Sequence, residues 1–396
     1  MSVVQLQQWP QVMGRGVLRW QQVDMWLVGL LVALSLFGWL MVTSASIDGA
    51  SQGAGNGLSM MLRHGVFLSF SVVAWGVVML IPVQLWYRWS ALLLLASTIG
   101  LLAVWLPGVG VTVNGATRWL ELRLFRVQPS EVLKLALVVY LAAYLQRRQD
   151  EVRTTWLGFI KPIVMTSGFA LILLAQPDFG AVVIILVTLM GMMFLGGVRL
   201  GQFVIAMTLV TGVAALLAVT QAYRVQRLLT FLDPWSNENV FNSGYQLTQA
   251  LIAFGRGEWF GVGLGNSLQK LFYLPEAHTD FITAVIAEEF GLVGLALMLL
   301  AYAVLMGRML WVGWQAEQRG ALFAGYICYG IAMIFSLQVF INVGVNAGLL
   351  PTKGLTLPLI SYGGSSLLVN VVMVALVTRI ALAVRTGELA ARESAS

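Results

Sequence analysis

Charge is scarce in this 396-residue chain. Asp, Glu, Lys and Arg make up 10% of it, where a soluble domain carries about 25%. With 59% hydrophobic residues and a mean hydropathy of +0.85, the chain has too little polar surface to face water, so lipid is its expected solvent. Cysteine is nearly absent. Cys328 stands alone, which excludes an internal disulfide and a cysteine-built metal site. The two histidines, His64 and His278, are too far apart in sequence for a His-pair metal motif. The net charge of +6 does not suggest nucleic acid, because the cations sit in short loops rather than in one patch. The first twenty-odd residues, with Arg15 and Arg19, are too polar for an apolar signal core, so no cleavable signal peptide is expected.

What the chain has in plenty is long apolar runs. At about twenty residues per crossing they predict an all-α polytopic membrane protein of about ten spans. The spans fall near 26–44, 65–82, 91–106, 131–146, 161–176, 179–197, 202–220, 283–309, 321–343 and 360–383. Between the fifth and sixth, Gln176-Pro177-Asp178-Phe179-Gly180 predicts a tight turn at a membrane edge. The start of the eighth span has two readings. Glu288 and Glu289 lie about 12–14 Å along a helix from Asp280. Either they are buried, or the helix stands as a stalk above the hydrocarbon and the span begins near Phe290.

Basic residues set the expected orientation. With the N-terminus in the cytoplasm, thirteen Lys and Arg fall on the cytoplasmic side and nine outside, and four of the nine lie in one long loop. Short loops favour this orientation thirteen to five. The expected layout is a cytoplasmic tail (1–25), a membrane domain (26–385) with a large extracytoplasmic loop (221–280), and a second cytoplasmic tail (386–396).

Three outward segments carry the unusual chemistry. The large loop turns polar and ends Leu274-Pro275-Glu276-Ala277-His278-Thr279-Asp280 before re-entering the bilayer. An Asp at that boundary is costly to dehydrate and suggests function. It could equally cap the following helix. In the second segment, Gln128-Pro129-Ser130-Glu131 starts the fourth span, and Glu131 and Lys134 share a face at its outer end. They form either a self-satisfied pair or part of a polar cavity. The third, residues 344–366, is broken by Gly and Pro and carries Lys353, and can be read as a mere turn. In spans eight and nine, Gly291, Gly294, Ala296, Gly325 and Gly330 permit close helix approach, either to a partner's helix or within the bundle.

Four motifs carry a resemblance: Leu274 to Ile282 (LPEAHTDFI), Gly244-Tyr245-Gln246-Leu247, Gly354 to Ser366 (GLTLPLISYGGSS) and Gln128-Pro129-Ser130-Glu131. Over about residues 26–385 the chain resembles the SEDS family (shape, elongation, division and sporulation). These are bacterial membrane glycosyltransferases that polymerise the peptidoglycan precursor lipid II. Pro351 to Pro358 is more similar to the division branch than to the elongation branch. The resemblance implies that Asp280 matches the essential aspartate and that Glu131 and Lys134 face the same cavity. It implies a class B penicillin-binding protein, the transpeptidase FtsI, as partner alongside other division proteins, and a place in the inner membrane at the septum.

The implied reaction suits these residues. One sugar hydroxyl attacks the anomeric carbon of another sugar and expels a polyprenyl pyrophosphate. Asp280 can take the proton as general base, and the leaving anion needs cations rather than a second acid. Arg63, Arg118, Lys134 and Lys270 are candidates for that, with His278 beside them. No cofactor is assigned with certainty, and a divalent cation at the pyrophosphate is left open. A lipid flippase and a non-catalytic division scaffold are the rival readings. The flippase would need a polar path across the whole bilayer, whereas the charge within the spans gathers in the outer half.

Overall fold

The computed structural model describes residues 20–47, 56–113, 115–122, 125–219 and 222–389. Ten long helices stand at the ten expected spans: α1 Met25–Ile47, α2 Asn56–Leu80, α3 Val83–Ala103, α4 Pro129–Arg147, α6 Trp156–Ala175, α7 Phe179–Leu195, α8 Leu200–Val219, α11 Ile282–Gln318, α12 Leu322–Asn346 and α13 Gly364–Arg385. Between them come a short α5 (Gln149–Thr154) and two loop helices, α9 (Ala222–Leu232) and α10 (Tyr245–Gly257). Among the described residues, seven helices are long and apolar enough to cross a membrane; α7 and part of α8 are apolar but shorter. The α4 sequence is diluted by Glu131, Lys134 and Arg147, yet most of its side chains are buried.

Burial orders the bundle. In its most apolar window α13 is 89% buried, against 17% for α2, so α13 is central and α2 peripheral. The core helices pack as α11 on α12, α3 on α4, and α2 along α13. The small residues of spans eight and nine serve this packing. A Cβ on Gly325 would stand 3.2 Å from the Gly313 carbonyl, and one on Gly330 would stand 2.6 Å from Val138. Ala296, by contrast, is exposed.

One face of the bundle is tied by Asp24. It caps α1 through Trp26 and Leu27 N–H, and its other carboxylate oxygen takes charged hydrogen bonds from Arg308 (2.8 Å) and Arg385 (2.9 Å). Helices α1, α11 and α13 are thereby pinned at one end.

The opposite, loop face holds structure beyond the expected helices. A three-stranded antiparallel sheet joins α3 to α4: β1 Gly110–Val113, β2 Ala116–Leu122 and β3 Phe125–Val127, in the order β1-β2-β3. The signal was in the sequence: Val111-Thr112-Val113 and Ala116-Thr117 flank Asn114-Gly115, the dipeptide favoured in hairpin turns.

The start of the eighth span combines both expected readings. Helix α11 is broken at Gly291, whose φ of 65° and ψ of −167° lie outside the helical region. Residues 282–290 form a stalk and the long span follows. The break is filled by the loop. Val262 and Gly263 N–H donate to the Glu288 and Glu289 carbonyls (2.9 and 3.0 Å), and Leu292 and Val293 N–H donate to the Glu258 and Trp259 carbonyls (2.9 and 3.0 Å). Those are the groups a helix break orphans. A Cβ on Gly291 would stand 2.4 Å from the Gly261 nitrogen, so only glycine fits. Glu288 and Glu289 are fully buried on the stalk and paired, Glu288 with Arg256 (2.8 Å) and Glu289 with Lys270 (3.2 Å).

Candidate active site

Asp280 closes an irregular turn that precedes the stalk of α11. It does not cap that helix: no side-chain cap is made at the start of α11. That task falls to Asn346, whose Oδ1 accepts from Ala284 N–H at 3.2 Å. The Asp280 backbone is held instead. Its carbonyl accepts from Asn342 and Asn346 Nδ2, both at 3.0 Å. Asn342 also donates to the Leu355 carbonyl (2.6 Å) and accepts from Thr283 Oγ1 (2.6 Å). One helical turn of α12 thus fixes the backbone of the turn, the start of α11 and the irregular segment 351–360.

That segment closes over the turn. Ser361 Oγ donates to the Thr279 carbonyl (2.6 Å) and accepts from Leu357 N–H (2.7 Å), and Tyr362 N–H donates to the His278 carbonyl (2.9 Å). The Asp280 carboxylate lies flat against Gly354, where a Cβ would stand 2.5 Å from Oδ2. Glycine is needed there for proximity, since any side chain would move the carboxylate.

The electrostatics favour a protonatable carboxyl. Burial and the neighbouring Glu276 carboxylate push Asp280 up from 3.8 to about 7, with Arg118 pulling the other way. Glu276 holds a left-handed φ of 58°, and its carboxylate accepts from Thr279 Oγ1 at 2.8 Å. His278 is pushed down by burial, with Glu276 opposing, so it is neutral near pH 7. Its ring meets Tyr362 edge-on at 5.7 Å, and His64 lies against the same tyrosine at 5.9 Å. Both histidines of the chain therefore flank Tyr362.

The other expected site residues divide. Arg118, on β2, reaches the Asp280 field and is anchored by the Gln176 (2.9 Å) and Pro177 carbonyls. Glu131 and Lys134 pair at 2.8 Å and both are buried. They stand beside a second polar knot in which Gln128 Nε2 (3.2 Å) and Ser130 Oγ (3.1 Å) donate to Asp178, while Ser365 Oγ accepts from Gln128 N–H (3.2 Å). Asp178 lies in the tight turn expected between the fifth and sixth spans. It is buried, and it also caps α7 through Ala181 N–H. Lys270 belongs to the loop and is drawn to the stalk. It is 7% exposed and held by Glu289, the Gly265 carbonyl and Ser44. Arg63 lies exposed near the loop end of α2.

Asn342 lay outside the outward segments read from the sequence, and Asn346, Gly354 and Ser361 lay in the third segment without a role of their own. The available signal was two asparagines one turn apart at the end of an apolar span, where polar side chains are expensive. Lys353 also belongs here, its ammonium 4.0 Å above the Phe179 ring and one residue from Gly354. Among the described residues, no three His, Cys, Asp or Glu side chains gather as a metal site.

The chain is similar to known proteins in sequence and in fold. The family model described as a cell cycle protein, FtsW/RodA/SpoVE, matches residues 24–386. A protein of Hahella chejuensis named probable peptidoglycan glycosyltransferase FtsW is 50% identical, with 94% of this chain and 93% of that one covered. One of the same name from Pseudomonas fluorescens is 48% identical, covering 95% and 91%. Among solved structures, a chain of a peptidoglycan synthase complex described as coordinating polymerization and crosslinking superposes with a TM-score of 0.74 at 26% identity, covering 92% of this chain and 98% of that one. The Thermus thermophilus rod shape determining protein RodA has the same fold, with a TM-score of 0.66 at 23% identity over 91% and 97% of the two chains. This multi-pass membrane protein belongs to the FtsW/RodA/SpoVE family.

Proposed function

We propose that the chain is a peptidoglycan glycosyltransferase that polymerises lipid II during septal wall synthesis. The observation that carries this reading is the Asp280 carboxyl. It is tuned to about 7 and fixed by its backbone against Gly354 at the polar end of a membrane bundle. Such a group serves as general base near neutral pH. It takes the proton of the attacking sugar hydroxyl as the glycosidic bond forms, and the bond to the pyrophosphate breaks. Attack opposite the leaving group inverts the α-linked donor to a β product. This reading assigns the departing anion to the cations Arg118, Lys134 and Lys353. A divalent cation there would take its ligands mainly from phosphate and water, as magnesium commonly does.

The prenyl chain stays in lipid while the sugars reach the loop face, which explains a site at this boundary. The proposal places the loop face outside the cytoplasm and both termini inside. Charge within the bundle argues against a transport path. Among the described residues, the charged side chains of the long helices lie near the two faces, Glu131, Lys134, Glu288 and Glu289 at one and Asp24, Arg308 and Arg379 at the other.

The synthase complex described above pairs polymerization with crosslinking. By the same reading this chain works with a class B penicillin-binding protein of the FtsI type. The exposed stripe of α11, at Val293, Leu297, Leu300, Val304 and Trp311, suits a partner's single helix better than the inward-facing glycines do.

The deciding experiment supplies purified protein with lipid II. Polymer from the native chain and none from a folded Asp280→Asn variant is the expected result. A folded native chain that makes no polymer alone or with its partner overturns the reading.

A further inference from the structure

We propose that a polar groove beside the Asp280 turn binds the sugars of the growing glycan strand and keeps it on the enzyme between transfers. This rests on the polymerase reading and adds to it a second binding site.

The groove has a volume of about 470 Å³, within the range of small-molecule sites. One wall comes from the large loop, with Gln226 and Arg227 on α9 and Tyr245 and Gln246 at the start of α10. The other wall is Pro275 and Thr352. Those two residues locate it. Pro275 opens the turn that ends at Asp280, and Thr352 lies two residues before Gly354, which touches the Asp280 carboxylate. Two residues of chain span at most about 7 Å, so the groove begins at the edge of the reaction centre and leads away over the loop.

Its lining has the chemistry of sugar recognition. Among the described residues, the side chains of Gln226, Tyr245 and Gln246 make no hydrogen bond, although Tyr245 and Gln246 are partly buried. A partly buried phenol and primary amides without protein partners are donors and acceptors left for a ligand. Hydroxyl and acetamido groups match them, and the tyrosine ring offers an apolar face to a pyranose. No carboxylate lines the groove. Arg227 reaches only the Thr352 carbonyl, at 3.4 Å. Its charge is thus available to the carboxylates of a peptide carried on alternate sugars. A neutral, amide-rich chain with occasional anionic branches is what this surface fits. A pyrophosphate would call for more than one cation.

The test uses the full-length protein, with its partner if the partner is needed for activity. Tyr245→Ala and Gln246→Ala are compared with Gln226→Ala, whose side chain is exposed and whose loss should leave the fold intact. The first coupling of two lipid II molecules should stay within about twofold of the native rate, because the groove lies beyond the reacting atoms. Mean strand length should fall about three- to tenfold, the worth of one or two lost hydrogen bonds in the competition between extension and release. Unchanged strand length in all three variants overturns the proposal. So does an equal loss of first coupling and of length. A soluble tetrasaccharide of β-1,4-linked N-acetylglucosamine provides a second measurement, independent of turnover. Saturation-transfer contacts to it should be present in the native chain and weakened in the variants. Their absence in the native chain refutes the groove even if polymerisation is normal. Their presence in an inactive native chain keeps the groove and removes the polymerase reading alone.

Discussion

Replacing Asp280 with Asn separates the role of this residue in chemistry from its role in stability, and the two should move in opposite directions. A carboxyl raised from 3.8 to about 7 resists ionisation in the folded state. Below pH 4 both folded and unfolded forms are protonated, and the group costs nothing. As the pH rises through 4 to 7, the unfolded chain ionises while the folded one does not, so folding loses stability steadily. Above pH 7 the full difference has been lost, about 4 kcal/mol at 1.4 kcal/mol per pH unit. Partial exposure of the side chain reduces this, so about 2–4 kcal/mol is the working figure. The amide of Asn carries no such penalty and fits the same space against Gly354. The Asp280→Asn protein should therefore melt close to the native protein at pH 4.5 and several degrees above it at pH 8. Polymerisation should rise with pH through about 7 in the native protein and be absent at every pH in the variant. Thermal unfolding in detergent across pH 4.5 to 8.5, beside lipid II polymerisation over the same range, gives both curves. Parallel melting curves for the two proteins would refute the raised carboxyl, and substantial polymer from the variant would refute the base.

Other predictions follow from neighbouring contacts. Lys134→Met strands the buried Glu131 charge and should cost about 3–5 kcal/mol, measured by thermal unfolding. Adding Glu131→Gln should restore stability but not polymerisation; if polymerisation returns, the pair is structural only. Gly354→Ala pushes on Asp280 Oδ2 and should lower turnover about 100-fold with little change in melting, as a displaced reacting group would. Asn346→Ala removes a cap and one of two holds on the Asp280 carbonyl, so it should destabilise by about 1–2 kcal/mol and lower turnover further than that loss explains. Gly325→Leu should destabilise the bundle whether or not a partner is present, whereas cysteines at Leu300 or Val304 should crosslink to a partner's helix. Strong crosslinks only to α1, α2 and α3 would move the interface elsewhere.

The membrane helices were legible because each buries or exposes a long apolar run, and no distant information is needed to see that. The Glu131–Lys134 pair was legible for the same local reason, being one turn apart on one helix. The loop was not. Lys270 reads as a spare cation until Glu289, nineteen residues later, is folded onto it together with Ser44 from α1. The sheet left a local trace in Asn114-Gly115, but the frame around Asp280 left almost none. Asn342 and Asn346 act on a backbone more than sixty residues away. The importance of Gly354 depends on a carboxylate seventy-four positions earlier, and no window along the chain contains both.

The break at Gly291 changes what it means for Asp280 to precede the eighth span. The stalk accepts backbone hydrogen bonds from Val262 and Gly263 and pairs its buried charges with Arg256 and Lys270. Mechanically it is therefore a piece of the loop that happens to be continuous with a membrane helix. The long helix begins with Leu292 and Val293 tied to the same loop, so the loop straddles the break at Gly291. A tilt of the span and a force on the loop from outside therefore meet in that one loop segment, and a partner that grips either acts on the turn carrying Asp280 through this shared seat.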